Sequence, residues 1–159
     1  MQRITIADDH ALIREGIKVL LRENQKFEIV GEASDGSRAI ELLKTTPTDI
    51  ILLDIDMPGK NGVEVGQWIK SMQLNIKIVY ITSHAHFFTF YQAWKLNPQG
   101  FLFKENALEE LIACLKHLQN NQTYYSSESK LYIEQHSEAI GNYEAVHEKM
   151  QTLSPKEKQ

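Results

Sequence analysis

The chain has one cysteine, Cys114, so no internal disulfide can form, and a reducing compartment fits. It has no hydrophobic run near the roughly 18 residues that a membrane span requires. The opening segment Met1-Gln2-Arg3-Ile4-Thr5-Ile6 lacks the plan of a signal peptide and runs straight into a strand-like stretch. The expected location is therefore cytoplasmic. Basic residues are not in excess: 17 Lys and Arg against 21 Asp and Glu give a net charge of −4. That balance argues against nucleic-acid binding by this chain itself, because neutralising phosphates takes clustered cations. There are no internal repeats. What remains is a chain of 159 residues, 42% hydrophobic and 24% charged, the composition of a globular protein with one sizeable core and an appendage.

Apolar runs alternate with amphipathic stretches. Ile4 to Ala7 is a short run closed by Asp8-Asp9. Leu12, Ile13, Ile17, Leu20 and Leu21 then recur at helical spacing, which predicts a helix over 11–23. Residues 27–33 are strand-like, and Ser34-Asp35-Gly36 offers a turn and a helix cap. The run Asp49-Ile50-Ile51-Leu52-Leu53-Asp54 is almost wholly apolar and ends in an acid. Met57-Pro58-Gly59-Lys60-Asn61-Gly62 is loop chemistry. Further strands are predicted over 76–81 and 100–103, with an aromatic-rich helix near 85–96 between them and a last amphipathic helix over 107–118. Strands apolar on both faces, alternating with helices, indicate a doubly wound, three-layer α/β/α fold around a five-stranded parallel sheet. The weaker pattern over 128–150 reads as one helix or two, interrupted near Gly141.

In such sheets ligands sit beyond the carboxyl ends of the strands. Asp8, Asp9, Asp54, Thr82 and Lys104 all stand there, and the topology gathers them at one edge. Three crowded carboxylates repel one another, and a hard divalent cation such as Mg²⁺ relieves the cost. Asp54, closing the most central run, is placed to act as a nucleophile that forms an aspartyl phosphate. Lys104 supplies positive charge and Thr82 a hydroxyl donor for the phosphoryl oxygens. Taken singly, Asp8-Asp9 also fit helix capping, Lys104 a surface lysine and Thr82 a strand residue; their joint placement points to a site.

At these positions the sequence resembles the response-regulator receiver family over roughly residues 1–122. The acid pair is Asp8-Asp9, the acceptor stretch is Leu52-Leu53-Asp54-Ile55-Asp56-Met57-Pro58-Gly59, and the hydroxyl and the lysine are Thr82 and Lys104. The resemblance implies a CheY-like, flavodoxin-like strand order 2-1-3-4-5. It implies phosphorylation of Asp54 by a sensor histidine kinase, with Mg²⁺ held by Asp9, Asp54 and the backbone carbonyl of Asp56, and by Asp8 through water. It also implies a switch in which Thr82 moves toward the phosphate and Phe101 turns inward. The face made by the fourth helix, fifth strand and fifth helix then changes shape and serves a homodimer. Asp56 and His84 occupy positions that tune phosphoryl lifetime. Departures are Glu105 where many receivers have Pro after the lysine, and Asn97-Pro98 in place of a small Gly-Ala.

The stretch Gly100-Phe101-Leu102-Phe103-Lys104-Glu105 looks like the NarL/FixJ branch, and Leu153-Ser154-Pro155-Lys156-Glu157 looks like the opening of a LuxR-type helix-turn-helix domain. The resulting expectation is a receiver over 1–122, a partly helical linker over 123–151, and a truncated output domain over 152–159. DNA would be reached only through that output domain, for transcription regulation. The expected chemistry is self-phosphorylation and slow autodephosphorylation, with no separate small-molecule substrate. A haloacid-dehalogenase-type phosphatase shares the pattern Asp54-Ile55-Asp56, but there the motif lies on the first strand with its lysine and second acid pair downstream, whereas here the acid pair lies upstream and Met57 stands where Thr or Val is usual. A calcium loop at 54–65 fails because Pro58 and Val65 stand where oxygen ligands are needed. A phosphate-independent binding module is disfavoured by the complete set of five residues. The aromatic residues Phe87, Phe88, Phe90, Tyr91 and Trp94 divide between core packing and an exposed patch for a partner or a second copy.

Overall fold

The computed structural model describes residues 1–83 and 86–151. The elements in chain order are β1 (Gln2–Ala7), α1 (Ala11–Arg22), β2 (Phe27–Ala33), α2 (Gly36–Thr45), β3 (Ile50–Leu53), α3 (Gly62–Ser71) and β4 (Lys77–Thr82). They continue as α4 (Phe87–Trp94), β5 (Gly100–Phe103), α5 (Ala107–Gln119), β6 (Tyr124–Tyr125), α6 (Ser127–Gln135) and α7 (Ser137–Gln151). The strands form one parallel sheet in the order β2-β1-β3-β4-β5-β6. This is the expected flavodoxin-like sheet extended by a sixth strand. Two residues are too short to show a period, so β6 has no signature in the sequence.

Every residue of β3 and β5 is buried, which is why their sequences are uniformly apolar. On one face of the sheet, α1 and α5 pack Ile17, Leu21, Leu111 and Leu115 against Ile4, Ile6, Ile50, Leu52, Val79 and Leu102. On the other, α2, α3 and α4 cover Ile51, Leu53, Tyr80, Phe101 and Phe103. Each such side chain removed from water contributes roughly 1.5–3 kcal/mol. Cys114 is fully buried in α5 beneath Gly100, where a Cβ would come within 2.9 Å of its sulfur.

Local chemistry sets the helix starts near the strand ends. The Asp35 side chain caps α2 by accepting from the Arg38 amide at 2.8 Å. Asn61 and Glu64 form a capping box on α3. Two glycines let the connecting loops close tightly: a Cβ on Gly62 would lie 2.0 Å from the Asp54 carbonyl oxygen, and one on Gly36 2.0 Å from that of Lys60. Asn97, at φ 52°, turns the chain into β5 from the left-handed region, which asparagine tolerates better than most residues.

The segment 123–151 carries β6, α6 and α7. The start of this segment belongs to the packed body: β6 pairs with β5, and Tyr125, Tyr132 and Ile133 pack on the core. The break between α6 and α7 falls at His136, not near Gly141, which lies inside α7 with open space around it. His136 leaves helical geometry where its ring stacks on Phe87, so a tertiary contact and not a glycine ends the helix. Residues 152–159, including the stretch resembling an output-domain start, lie outside the described residues, as does His84.

Candidate functional site

Parallel register brings the strand ends level. Ala7 pairs with Leu53 and Thr82 with Phe103, so the next residues, Asp8, Asp54 and Lys104, emerge side by side. Three backbone bonds extend the ladder by one residue and fix them: the amides of Asp8, Asp54 and Lys104 donate to the carbonyls of Ala33, Ala7 and Thr82 at 3.0, 2.9 and 2.7 Å. Arg14 on α1 donates to the Asp8 carbonyl at 2.6 Å.

Lys104 Nζ lies at the centre of the cluster. It donates to Asp54 Oδ2 at 2.9 Å and to Asp8 Oδ1 at 3.2 Å, and lies 2.7 Å from His10 Nδ1. Asp54 and Asp8 are buried, at 1% and 3% exposure, while Asp9 and His10 are open to solvent. Burial, followed by the charge of Asp8, pushes the Asp54 carboxyl up to about 7, against the opposing pull of Lys104 and of the Asp56 amide. That amide reaches Asp54 Oδ1 at 3.3 Å.

Neither acid of the pair caps α1 by its side chain. The N-cap is His10, and Asp8 Oδ1 accepts from the His10 amide at 2.8 Å in a local turn. Asp8, Asp9, His10 and Asp54 each offer one ligand atom, all within 4.8 Å of one another. The three carboxylates are the oxygen donors that a hard cation such as Mg²⁺ prefers, and their crowding around a buried Asp54 is relieved by positive charge. The residues therefore fit the ion. The Asp56 carboxylate is exposed and is not among these four groups. Its backbone amide is the group that reaches Asp54.

The structure brings together Asp8, Asp9, Asp54 and Lys104 as the sequence predicts. Thr82 is fully buried at the same edge, with its hydroxyl donating to the Ser83 carbonyl at 3.0 Å. Phe101 is already inside, packed on Phe90 at 4.7 Å and on Tyr80 and Trp94 at 5.5 Å, so the expected inward turn has no outward starting point here. His10 is the residue sequence reasoning missed. Its only signal was adjacency to Asp8-Asp9, since no second histidine stands at metal-ligand spacing.

With this geometry in place, known proteins supply the class. The family profile described as the response regulator receiver domain matches residues 4–116, and the chain belongs to that family. Among its relatives are a NarL transcriptional regulatory protein of Mycobacterium tuberculosis, 36% identical over 110 residues, and the Fimbriae Z protein of Salmonella typhimurium, 31% identical over 130 residues. These matches cover 69% and 82% of this chain, but it spans only 51% and 62% of those relatives' lengths. The solved signal receiver domain of NarL from Mycobacterium tuberculosis is 33% identical, with a TM-score of 0.69, over 76% of this chain and 98% of that one. The chain is thus a two-component receiver domain of the NarL/FixJ type, with transcription regulators among its relatives. Among the described residues no helix is long and apolar enough to cross a membrane.

Proposed function

We propose that this receiver works by Mg²⁺-dependent phosphorylation of Asp54 from the phosphohistidine of a sensor histidine kinase. The observation that carries the reading is the contact of Lys104 with a buried Asp54 and with Asp8. An Asp54 carboxylate oxygen attacks phosphorus, the phosphorus–nitrogen bond of the donor breaks, and the imidazole leaves. Mg²⁺ bound by Asp9, Asp54 and the Asp56 carbonyl, with Asp8 acting through water, would supply charge neutralisation at the phosphoryl oxygens. Lys104 shifts its bond from the carboxylate to a phosphoryl oxygen, and Thr82 turns its hydroxyl from Ser83 toward the same group. Slow attack of water on phosphorus returns the carboxylate and inorganic phosphate, and the exposed Asp56 side chain, two residues beyond Asp54, tunes that rate.

In this reading the receiver fills residues 1–122, and residues 123–151 connect it to a helix-turn-helix output domain that begins near residue 152. The protein is cytoplasmic, regulates transcription through that domain, and pairs with a second copy through the α4–β5–α5 face. The test is intact-protein mass after incubation with acetyl phosphate, with and without Mg²⁺. One phosphoryl group is expected, only with Mg²⁺, and none on Asp54→Asn. Continuous phosphate release without an adduct would mark a phosphatase instead.

A further inference from the structure

α4 carries aromatic side chains on two sides. On its inner side Phe90 is fully buried against Phe101 and Phe103. On its outer side Phe87 and Tyr91 are covered from within the chain, while Phe88 stays 44% exposed. Phe87 stacks on His136, centroids 4.4 Å apart and planes 11° from parallel, and touches Tyr132 at 5.7 Å. Tyr91 meets Tyr143 edge-on at 5.5 Å, and its hydroxyl donates to Glu144. Lys95 lies over the rings of Tyr91 and Tyr143 at 5.5 and 5.7 Å and 3.9 Å from Glu144. Much of the aromatic patch that the sequence left for a partner or a second copy thus has an occupant: α6 with the first half of α7.

The attachment points of this cover lie next to the pocket in the chain. Phe87 is five residues beyond Thr82. Asn106, two residues beyond Lys104, donates to Glu128 in the first turn of α6. The Ser126 amide donates to the Phe101 carbonyl at 2.9 Å, tying the start of α6 to β5, the strand that leads into Lys104. The two groups that must re-aim when Asp54 changes are therefore the ones leading into both anchors. The cover is anchored at α6, where Ser129 is fully buried and Tyr132 packs on Phe90 at 4.6 Å, and lightly held at α7. Val146 and Met150 are each 60% exposed, and α7 meets α4 chiefly through Tyr143 and Glu144. A segment with few buried contacts can open without global unfolding.

We propose that α6 and α7 form a latch on α4, docked while Lys104 is bonded to Asp54 and released when Asp54 carries a phosphoryl group. The proposal rests on the phosphoacceptor reading above. Release uncovers Phe87 and Tyr91, beside the already exposed Phe88, and makes the α4 face available. Linkage is reciprocal, so loosening the latch must favour the occupied pocket by the same factor.

Hydrogen exchange on the full chain tests this, with Mg²⁺ and beryllofluoride as the phosphoryl stand-in and the acetyl phosphate adduct checked by mass. Amides in 127–151 should exchange at least about fivefold faster in the occupied state, a coupling at the low end of the usual range, while those of α1 and α5 keep their protection. His136→Ala and Glu144→Gln should each speed exchange in 127–151 without any ligand and lower the apparent Kd for beryllofluoride. Both side chains lie outside the buried core, so the sheet should stay folded. Unchanged protection of 127–151 in a protein shown by mass to carry the adduct would overturn the latch. Absence of any adduct would overturn the phosphoacceptor reading instead, and the mass shows which has failed.

Discussion

Beneath α1 and α5 the sheet is lined by aliphatic side chains, Ile4, Ile6, Ile50, Leu52, Val79 and Leu102 among them, whereas beneath α4 it meets Phe90, Tyr80, Phe101 and Phe103. The aliphatic layer is held by close packing and has few polar atoms to re-pair. The aromatic layer has directional attachments: Tyr80 donates to the Gly62 carbonyl at 2.9 Å, Tyr91 to Glu144, and Tyr125 to the Pro98 carbonyl. Such bonds can be exchanged between two arrangements. Thr82 leads into this second layer through α4, and Asn106, at the N-cap of α5, ties the chain beyond Lys104 to the cover of that layer through Glu128, while Asp8 leads into α1. In the latch reading the aliphatic face holds the pocket in place and the aromatic face responds to it.

Core truncations should separate the two faces most clearly. Leu111→Ala and Phe90→Ala are each expected to cost roughly 3–5 kcal/mol in urea melts. Only the Phe90 variant should also raise exchange in 127–151; equal loosening by Leu111→Ala would erase the distinction. Next in size is Asp54→Asn. The folded protein keeps the Asp54 proton up to about 7, while the unfolded chain releases it near 3.8, so wild-type stability falls as pH rises through that window. Without divalent cation the variant should be more stable than wild type at pH 8, by roughly 1–4 kcal/mol, with the gap closing toward pH 4. Melts at both pH values in EDTA check this, and added Mg²⁺ should narrow the gap at pH 8. A smaller effect, about 1 kcal/mol, is expected from Tyr80→Phe, which removes the buried tyrosine hydroxyl's bond to the Gly62 carbonyl. Ser126→Ala removes the cap on α6, where Ser126 Oγ accepts from the Ser129 amide at 3.1 Å, and should cost about 1 kcal/mol or less. Its signature is faster exchange confined to the latch.

The fold was legible because the inner strands β3, β4 and β5 are apolar on both faces and each intervening helix keeps an apolar stripe; the edge strand β2 carries exposed Glu28 and Glu32. The strand-end rule then selected Asp8, Asp54 and Lys104 from acids and lysines that are otherwise indistinguishable. His10 was not legible, because its entry into the pocket depends on the Asp8 turn, whose local bond bends the chain back on itself. The latch was hidden for another reason. Its contacts come from Tyr132, His136, Tyr143 and Glu144, which are amphipathic and match no apolar period. The aromatic surplus of α4 announced that something covers it, and only the tertiary structure identified the cover.

Cys114, sealed beneath Gly100, has a further use. Burial pushes its thiol up to about 12, so it presents almost no thiolate to reagents near neutrality. Because it is the sole cysteine of this chain, the chain is already a silent background for maleimide chemistry. A fluorophore attached through Val146→Cys would report on one helix alone, with no prior cysteine removal and no disturbance of the core.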